Sequence, residues 1–312
     1  MNLFHEWPLV LFTLTVQLAV GLHLALLTAR SLPRGGRPAG SPEPESEGPS
    51  GDEAPSLQDG GLMAAAMAIS LLHLGAPLSA VHTLSNLGGS WLSREILALL
   101  VFLGLWGLPF WFGRRPGTSP WMARALAWAA ALVGIVLIWV MARIYMIPAR
   151  PLWDHWLTAA GFLLTTLLLG AVAGAASMER PSVSRVGNPA APSLTGPALM
   201  AVGAAASLAQ VAATLAHPVT GEVINSPGGT FLAGLRLLLL LGGAVLLTIP
   251  LARSSFQGVQ PLRTGLEEGI AVQFEATVAF QGPWATAALF VLGTSEVLGR
   301  ALFYAVGTVN PF

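Results

Sequence analysis

Residues 121–146 read WMARALAWAAALVGIVLIWVMARIYM, and between Arg124 and Arg143 no side chain is charged. At a rise of about 1.5 Å per residue, a helix of this length crosses the roughly 30 Å hydrocarbon core of a bilayer. The run is continuous rather than alternating, and it far exceeds the roughly 10 residues of a barrel strand. In lipid each backbone N–H and C=O must be satisfied within the segment, so the stretch predicts a membrane-spanning helix.

Stretches of the same kind fall near 8–29, 61–83, 91–112, 152–177, 197–217, 230–251 and 283–307, each bounded by Pro, Gly, Ser or charge. The fold class that follows is all-α: a polytopic transmembrane helical bundle of about eight helices, with residues 1–312 forming a single transmembrane domain. Composition points the same way. The protein is 54% hydrophobic and 10% charged, with a mean hydropathy of +0.68, where a soluble domain carries roughly 25% charged residues. With no Cys, it supplies no thiolate for an iron–sulfur cluster, no disulfide and no thiol nucleophile. Every basic residue is Arg and the formal net charge is zero, so no basic patch argues for nucleic acid. The opening MNLFHEWP lacks the positive leader of a signal peptide, and the apolar run behind it outlasts a signal core, so it reads as a retained first helix.

Arginine placement sets the expected orientation. The connections after the first, third, fifth and seventh stretches hold Arg30, Arg34, Arg37, Arg114, Arg115, Arg180, Arg185, Arg253 and Arg263, with Arg124 just inside the fourth stretch. The opposite side holds Arg94, Arg143, Arg150, Arg236 and Arg300. The positive-inside rule then puts both termini outside. Residues 31–60 are rich in Pro, Gly, Ser and Glu and carry almost nothing that can form a core, which predicts a disordered acidic cytoplasmic loop. Residues 252–282 form a second, longer cytoplasmic connection with room for a short amphipathic helix around Leu266 to Phe274. No repeat of 20–50 residues, and no inverted repeat of the transporter kind, is visible.

Ionisable groups in lipid are costly and tend to line cavities, so their depth points to function. Most of them fall toward the outer side. If the second stretch starts inside near Gly61, His73 lies roughly 18 Å in, past the midplane. Gly75 and Pro77 follow, and the proline removes a backbone bond to residue 73 and opens space beside the imidazole. His73 is therefore the leading site residue, against the alternative of a histidine that simply bonds a neighbouring helix. Glu95 and Arg94 open the third stretch, Arg143 and Tyr145 close the fourth, and Asp154 and His155 begin the fifth. Glu95 also suits a helix N-terminus for electrostatic reasons, and Arg143 suits snorkelling to the interface. On the last stretch Glu296 and Arg300 stand four apart, a spacing that lets them pair, with Tyr304 one turn further out. His23 and His217 lie on other stretches at other depths, which gives little support to a haem between facing histidines. Trp7, Trp91, Trp153 and Trp156 fall near the outer boundary, where indoles anchor helices at the headgroups.

Several of these pieces together resemble a known family. They are His5-Glu6-Trp7-Pro8-Leu9, Leu72-His73-Leu74-Gly75-Ala76-Pro77, Leu84-Ser85-Asn86 leading to Ser93-Arg94-Glu95-Ile96, Arg143-Ile144-Tyr145, Gly161-Phe162 with Leu164-Thr165, and Glu296 through Tyr304. In this order they resemble the membrane anchor subunit of bacterial dimethyl sulfoxide reductases, over nearly the whole sequence. The resemblance implies a three-part enzyme of the bacterial inner membrane. The anchor, which is not itself the catalytic subunit, binds and oxidises menaquinol and holds no haem or other metal. An iron–sulfur subunit carries the electrons, and a molybdopterin subunit on the outer face reduces an S-oxide or N-oxide in anaerobic respiration. The family's quinol-binding histidine matches His73 and its functional carboxylate matches Glu95; Gly75, Pro77, Arg143 and Tyr145 are then expected near the quinol, and Arg94, Glu296, Arg300 and Tyr304 in structural or supporting roles.

The sequence departs from the family pattern in the loop at 31–60, the connection at 252–282, and Arg94 beside Glu95. Two other classes of function remain in view: a secondary transporter of a small solute, and a purely structural anchor with no quinone site of its own. The transporter reading is the weaker, since the inner half of the bundle carries almost no charge.

Overall fold

The computed structural model describes residues 7–31, 86–112, 119–178, 195–225, 228–257 and 283–309. They form eight helices and, among the described residues, no strand. In sequence order these are α1 (Trp7–Ser31), α2 (Trp91–Phe112), α3 (Pro120–Tyr145), α4 (Trp156–Met178), α5 (Thr195–Ala216), α6 (Pro218–Ile224), α7 (Gly229–Gln257) and α8 (Trp284–Val309). Seven are long and apolar enough to cross a membrane, with mean hydropathies from 1.3 to 2.4; α6 is a single short connector. The protein is a polytopic helical bundle, as the apolar runs require. The stretch at 61–83, with His73, Gly75 and Pro77, lies outside the described residues, as do nearly all of the acidic loop and the segment around Leu266 to Phe274.

Two boundaries differ from the sequence expectation. The fifth stretch is expected from 152, but α4 begins at Trp156, because Pro148 and Pro151 interrupt the backbone ladder and residues 147–155 close on themselves through turns such as Arg150 N to Ile147 O. These turns carry Trp153 inward. Its indole stacks on Phe303 at 5.1 Å between centroids and donates to the Phe303 carbonyl at 3.1 Å, so it is a packing residue rather than a headgroup anchor. Trp7 and Trp156 do stand out from the bundle, as an anchoring role requires. At the other boundary α7 runs past Pro250 to Gln257, shortening the expected connection at 252–282.

Two cores share the central helix α4. One joins α1, α2, α3 and α4 through Val16, Val20, Phe102, Leu137, Met141 and Phe162. The other joins α4, α5, α7 and α8 through Leu168, Met200, Leu240, Leu247 and Leu292. Bulky apolar side chains such as Leu132, Leu238 and Phe290 point outward instead, which is stable in lipid and costly in water. Where lipid tails are as apolar as the helices, close packing must hold the bundle together. The α1–α4 crossing shows how: a Cβ on Gly21 would sit 2.1 Å from the Thr166 carbonyl oxygen, and one on Gly170 would sit 2.2 Å from the backbone carbon of Gly21. Hydrogen bonds tie the second core together, Ser207 Oγ to Leu240 O at 2.7 Å and Ser295 Oγ to Arg236 O at 3.1 Å.

Candidate functional site

One end of the bundle gathers the starts of α1, α2, α4 and α7 and the ends of α3, α5 and α8. Its polar residues form two adjoining groups. The first centres on Glu296 of α8, which is 2% exposed. Its Oε2 accepts from Thr165 of α4 at 2.7 Å, and the Thr165 hydroxyl accepts in turn from the Gln210 amide of α5 at 2.8 Å. Arg236 of α7 approaches the other oxygen, Oε1, at 3.9 Å. A Cβ on Gly299 would come within 2.5 Å of the Arg236 guanidinium carbon, so the bare glycine is the floor on which that guanidinium lies.

Spacing along α8 predicts a Glu296–Arg300 pair, and the structure replaces it. The carboxylate takes partners from α4 and α7, while Arg300 crosses to α1, donating to Gln17 Oε1 at 2.9 Å. Gln17 donates onward to the Phe162 carbonyl at 2.9 Å, and the Arg300 guanidinium carbon lies 3.5 Å above the Phe162 ring. Each charged group is thereby served by a neighbouring helix, which ties several helices to α8. A buried charge without such partners would be costly.

The second group holds Glu95, 6% exposed, in the second turn of α2. Tyr145 of α3 and Tyr304 of α8 share a hydrogen bond at 3.1 Å, and Glu95 is close enough to act electrostatically on both. The Tyr145 ring packs on Phe162, Trp153 and Phe303, giving an aromatic layer between the two groups. The structure thus brings Glu95, Tyr145 and Tyr304 together, with Arg300 near the tyrosines. Arg94 and Arg143 are placed apart from them. Arg94 donates to the carbonyls of Leu87 and Gly88 at 2.9 and 2.7 Å and lies over Trp91, and Arg143 approaches the same indole and the Met146 sulfur.

Beside the Glu296 group a pocket opens between α4, α5, α6, α7 and α8, with about 730 Å³ of empty space counting its mouth. Its wall includes Phe162, Phe303, Thr214, Arg236, Glu296 and Arg300. His217 stands at the junction of α5 and α6, its Nδ1 accepting from Val219 N at 3.2 Å and its Nε2 within 3.1 Å of the Thr158 hydroxyl. Thr158 already donates to the Trp153 carbonyl at 2.8 Å, so Nε2 must carry the proton and the imidazole is neutral. Burial, then the neighbouring His155 and Arg236, lower its pKa to about 4, in agreement with that tautomer. His217 is a helix cap, as is His155, whose Nδ1 accepts from Leu157 N at 3.1 Å.

Comparison with known proteins bears on what this end of the bundle serves. Residues 61–266 match the DMSO reductase anchor subunit (DmsC) family. This protein belongs to that family. Among curated relatives, the YnfH subunit of an anaerobic dimethyl sulfoxide reductase of Escherichia coli K12 is 32% identical over 188 residues, covering 59% of the present sequence and 61% of its own length. The C subunit of the anaerobic dimethyl sulfoxide reductase of the same bacterium is 29% identical over 171 residues, 54% of the present sequence and 56% of its own length. The corresponding C subunit from Haemophilus influenzae is 36% identical over 103 residues, 32% of the present sequence and 36% of its own length. The match therefore spans about three fifths or less of the length of these curated relatives. No solved structure matches. As a family member the protein is a multi-pass membrane anchor subunit.

Arg236, Gln210, Gln17 and His217 are not singled out as site residues by sequence reasoning. The two glutamines carry a usable signal, each an amide set within an otherwise apolar run. Arg236 reads in the sequence only as one of several outer arginines, and nothing in its neighbours along the backbone names Glu296 as its partner.

Proposed function

We propose that this anchor subunit binds and oxidises a quinol, menaquinol by family analogy, near the outer face of a bacterial inner membrane. It passes the electrons to an iron–sulfur partner, from which a molybdopterin subunit draws them to reduce an S-oxide or N-oxide during anaerobic respiration. The observation that carries this reading is the burial of Glu95 at this end of an anchor-family bundle, beside a tyrosine pair. Oxidising a quinol releases two electrons and two protons, so the site needs proton acceptors within hydrogen-bond reach of the ring hydroxyls. His73, whose side-chain type titrates near neutrality, is the proposed first acceptor, and Glu95 the relay toward outer water. Gly75, Pro77 and Tyr145 shape the space around the ring. With protons released and consumed on the same side, turnover moves no net charge across the membrane.

The test is quinol-dependent reduction of an S-oxide by the intact complex, compared with reduction driven by a reduced viologen dye that feeds the catalytic subunit directly. His73→Ala abolishes the quinol-driven rate, and Glu95→Gln lowers it about a hundredfold, the lower end of what a positioned proton acceptor contributes. The dye-driven rate persists in both because assembly is intact. Normal quinol turnover in both variants would remove these residues from the mechanism.

A further inference from the structure

The pocket between α4 and α8 contains more polar capacity than helix packing uses. Among the described residues, Arg236 Nε, Arg300 Nε, Glu296 Oε1 and Thr214 Oγ1 are buried without a hydrogen-bond partner, and all four residues line this pocket. Buried polar atoms are nearly always satisfied, so unmet ones concentrated in one wall call for a ligand. The rest of the wall is aliphatic and aromatic, including Leu157, Ala213, Val223 and Phe303. Glu95, Tyr145 and Tyr304 do not line it.

We propose that this pocket is a second binding position for an uncharged aromatic ring bearing an oxygen acceptor, with the Arg236 guanidinium donating to that oxygen. Taking the ring to be a quinol head group rests on the function proposed above. Arg236 is the polar group best placed to reach a ligand, since it lines the pocket and keeps 16% of its side chain exposed, whereas Glu296 keeps 2%. Glu296 and the bare floor at Gly299 position it. An acyl tail would leave the guanidinium without an acceptor. An anionic head group would meet the Glu296 carboxylate, while Arg300 has its Nη2 committed to Gln17 and its face to Phe162, leaving only the buried Nε unpaired. A neutral ring oxygen satisfies Arg236 and repels nothing.

The experiment is photolabelling of the intact complex with a photoreactive short-tailed quinol analogue, followed by mapping of the labelled peptides. Label is expected in the segments 157–165 and 299–303, in addition to any near Glu95. Arg236→Ala lowers it about tenfold in those segments, the scale of one lost hydrogen bond to a charged group. Gly299→Ala adds a single methyl against the flexible end of Arg236, displaces the guanidinium without removing a polar group, and has the same effect in a bundle that still folds. Label confined to residues 61–95, or pocket label indifferent to both variants, overturns the second position and leaves quinol oxidation standing. Pocket label displaced by phosphatidylglycerol but not by unlabelled quinone assigns the pocket to lipid and overturns the proposal. Loss of quinol-driven turnover in the unmodified complex would overturn the functional reading itself.

Discussion

At the scale of single residues, a side chain's partners decide its role more than its type does. His217 carries the residue type most often enlisted for proton transfer, yet both ring nitrogens are spent on Val219 N–H and the Thr158 hydroxyl, so it caps a helix in its neutral form. The consequence is a pH dependence of known sign. With the folded pKa lowered to about 4 from 6.5, the unfolded state binds more protons between those values. The stabilising contribution is therefore fully present above pH 6.5 and is lost as pH falls toward 4. Thermal melts of the detergent-solubilised complex across this interval should show it, and His217→Asn, a cap that does not titrate, should flatten the curve. Gln17 offers a companion case. It holds the Arg300 guanidinium against α1, so Gln17→Leu should cost about 2 kcal/mol, the value of a buried hydrogen bond to a charged group, and lower the melting temperature.

At the scale of elements, the helices are joined by two physically different contacts. α1 and α4 meet backbone to backbone at Gly21 and Gly170, where any side chain would overlap main-chain atoms that cannot move aside. Gly21→Ala or Gly170→Ala should push these helices apart and destabilise the bundle by about 3 kcal/mol, the upper part of the usual overpacking range. A lowered melting temperature and poorer recovery of intact complex would register it, and an unchanged melt would show that the crossing is not this tight. Gly299 differs, because the atom above it is the end of a flexible arginine, so a methyl there redirects a side chain rather than a helix. α4, α5, α7 and α8 are joined through polar groups instead, with Thr165, Gln210, Arg236 and Glu296 each from a different helix. Such a network specifies which helices are neighbours, which lipid-facing leucines cannot do.

At the scale of the whole molecule, the buried charged groups among the described residues, Glu95, Glu296 and Arg300, gather toward one end of a bundle whose flanks are apolar. Purification from native membranes in mild detergent should bring two larger subunits together with iron and molybdenum. A metal-free protein recovered alone, under conditions that preserve complexes, would favour a solute transporter instead.

How much of this is legible in the sequence depends on the range of the interactions involved. Lipid solvation acts on each segment separately, so the runs from 8–29 through 283–307 read as spanning helices without knowledge of their neighbours, and the described spans follow them within a few residues except at Trp156 and Gln257. Glu95, Tyr145 and Tyr304 are identified by their depth, a property of one helix, though not as a set. The remaining features are relations between segments far apart in the sequence. Arg236 beneath Glu296, Gln17 beneath Arg300, and Trp153 turned inward onto Phe303 join residues between 60 and 283 positions apart. The sequence by itself determined that the protein is a membrane-spanning helical bundle whose embedded ionisable groups lie mostly toward one end. Only the tertiary structure decided which of those groups meet, because in lipid the neighbours of a helix are chosen by close packing and polar pairing across helices rather than by local periodicity.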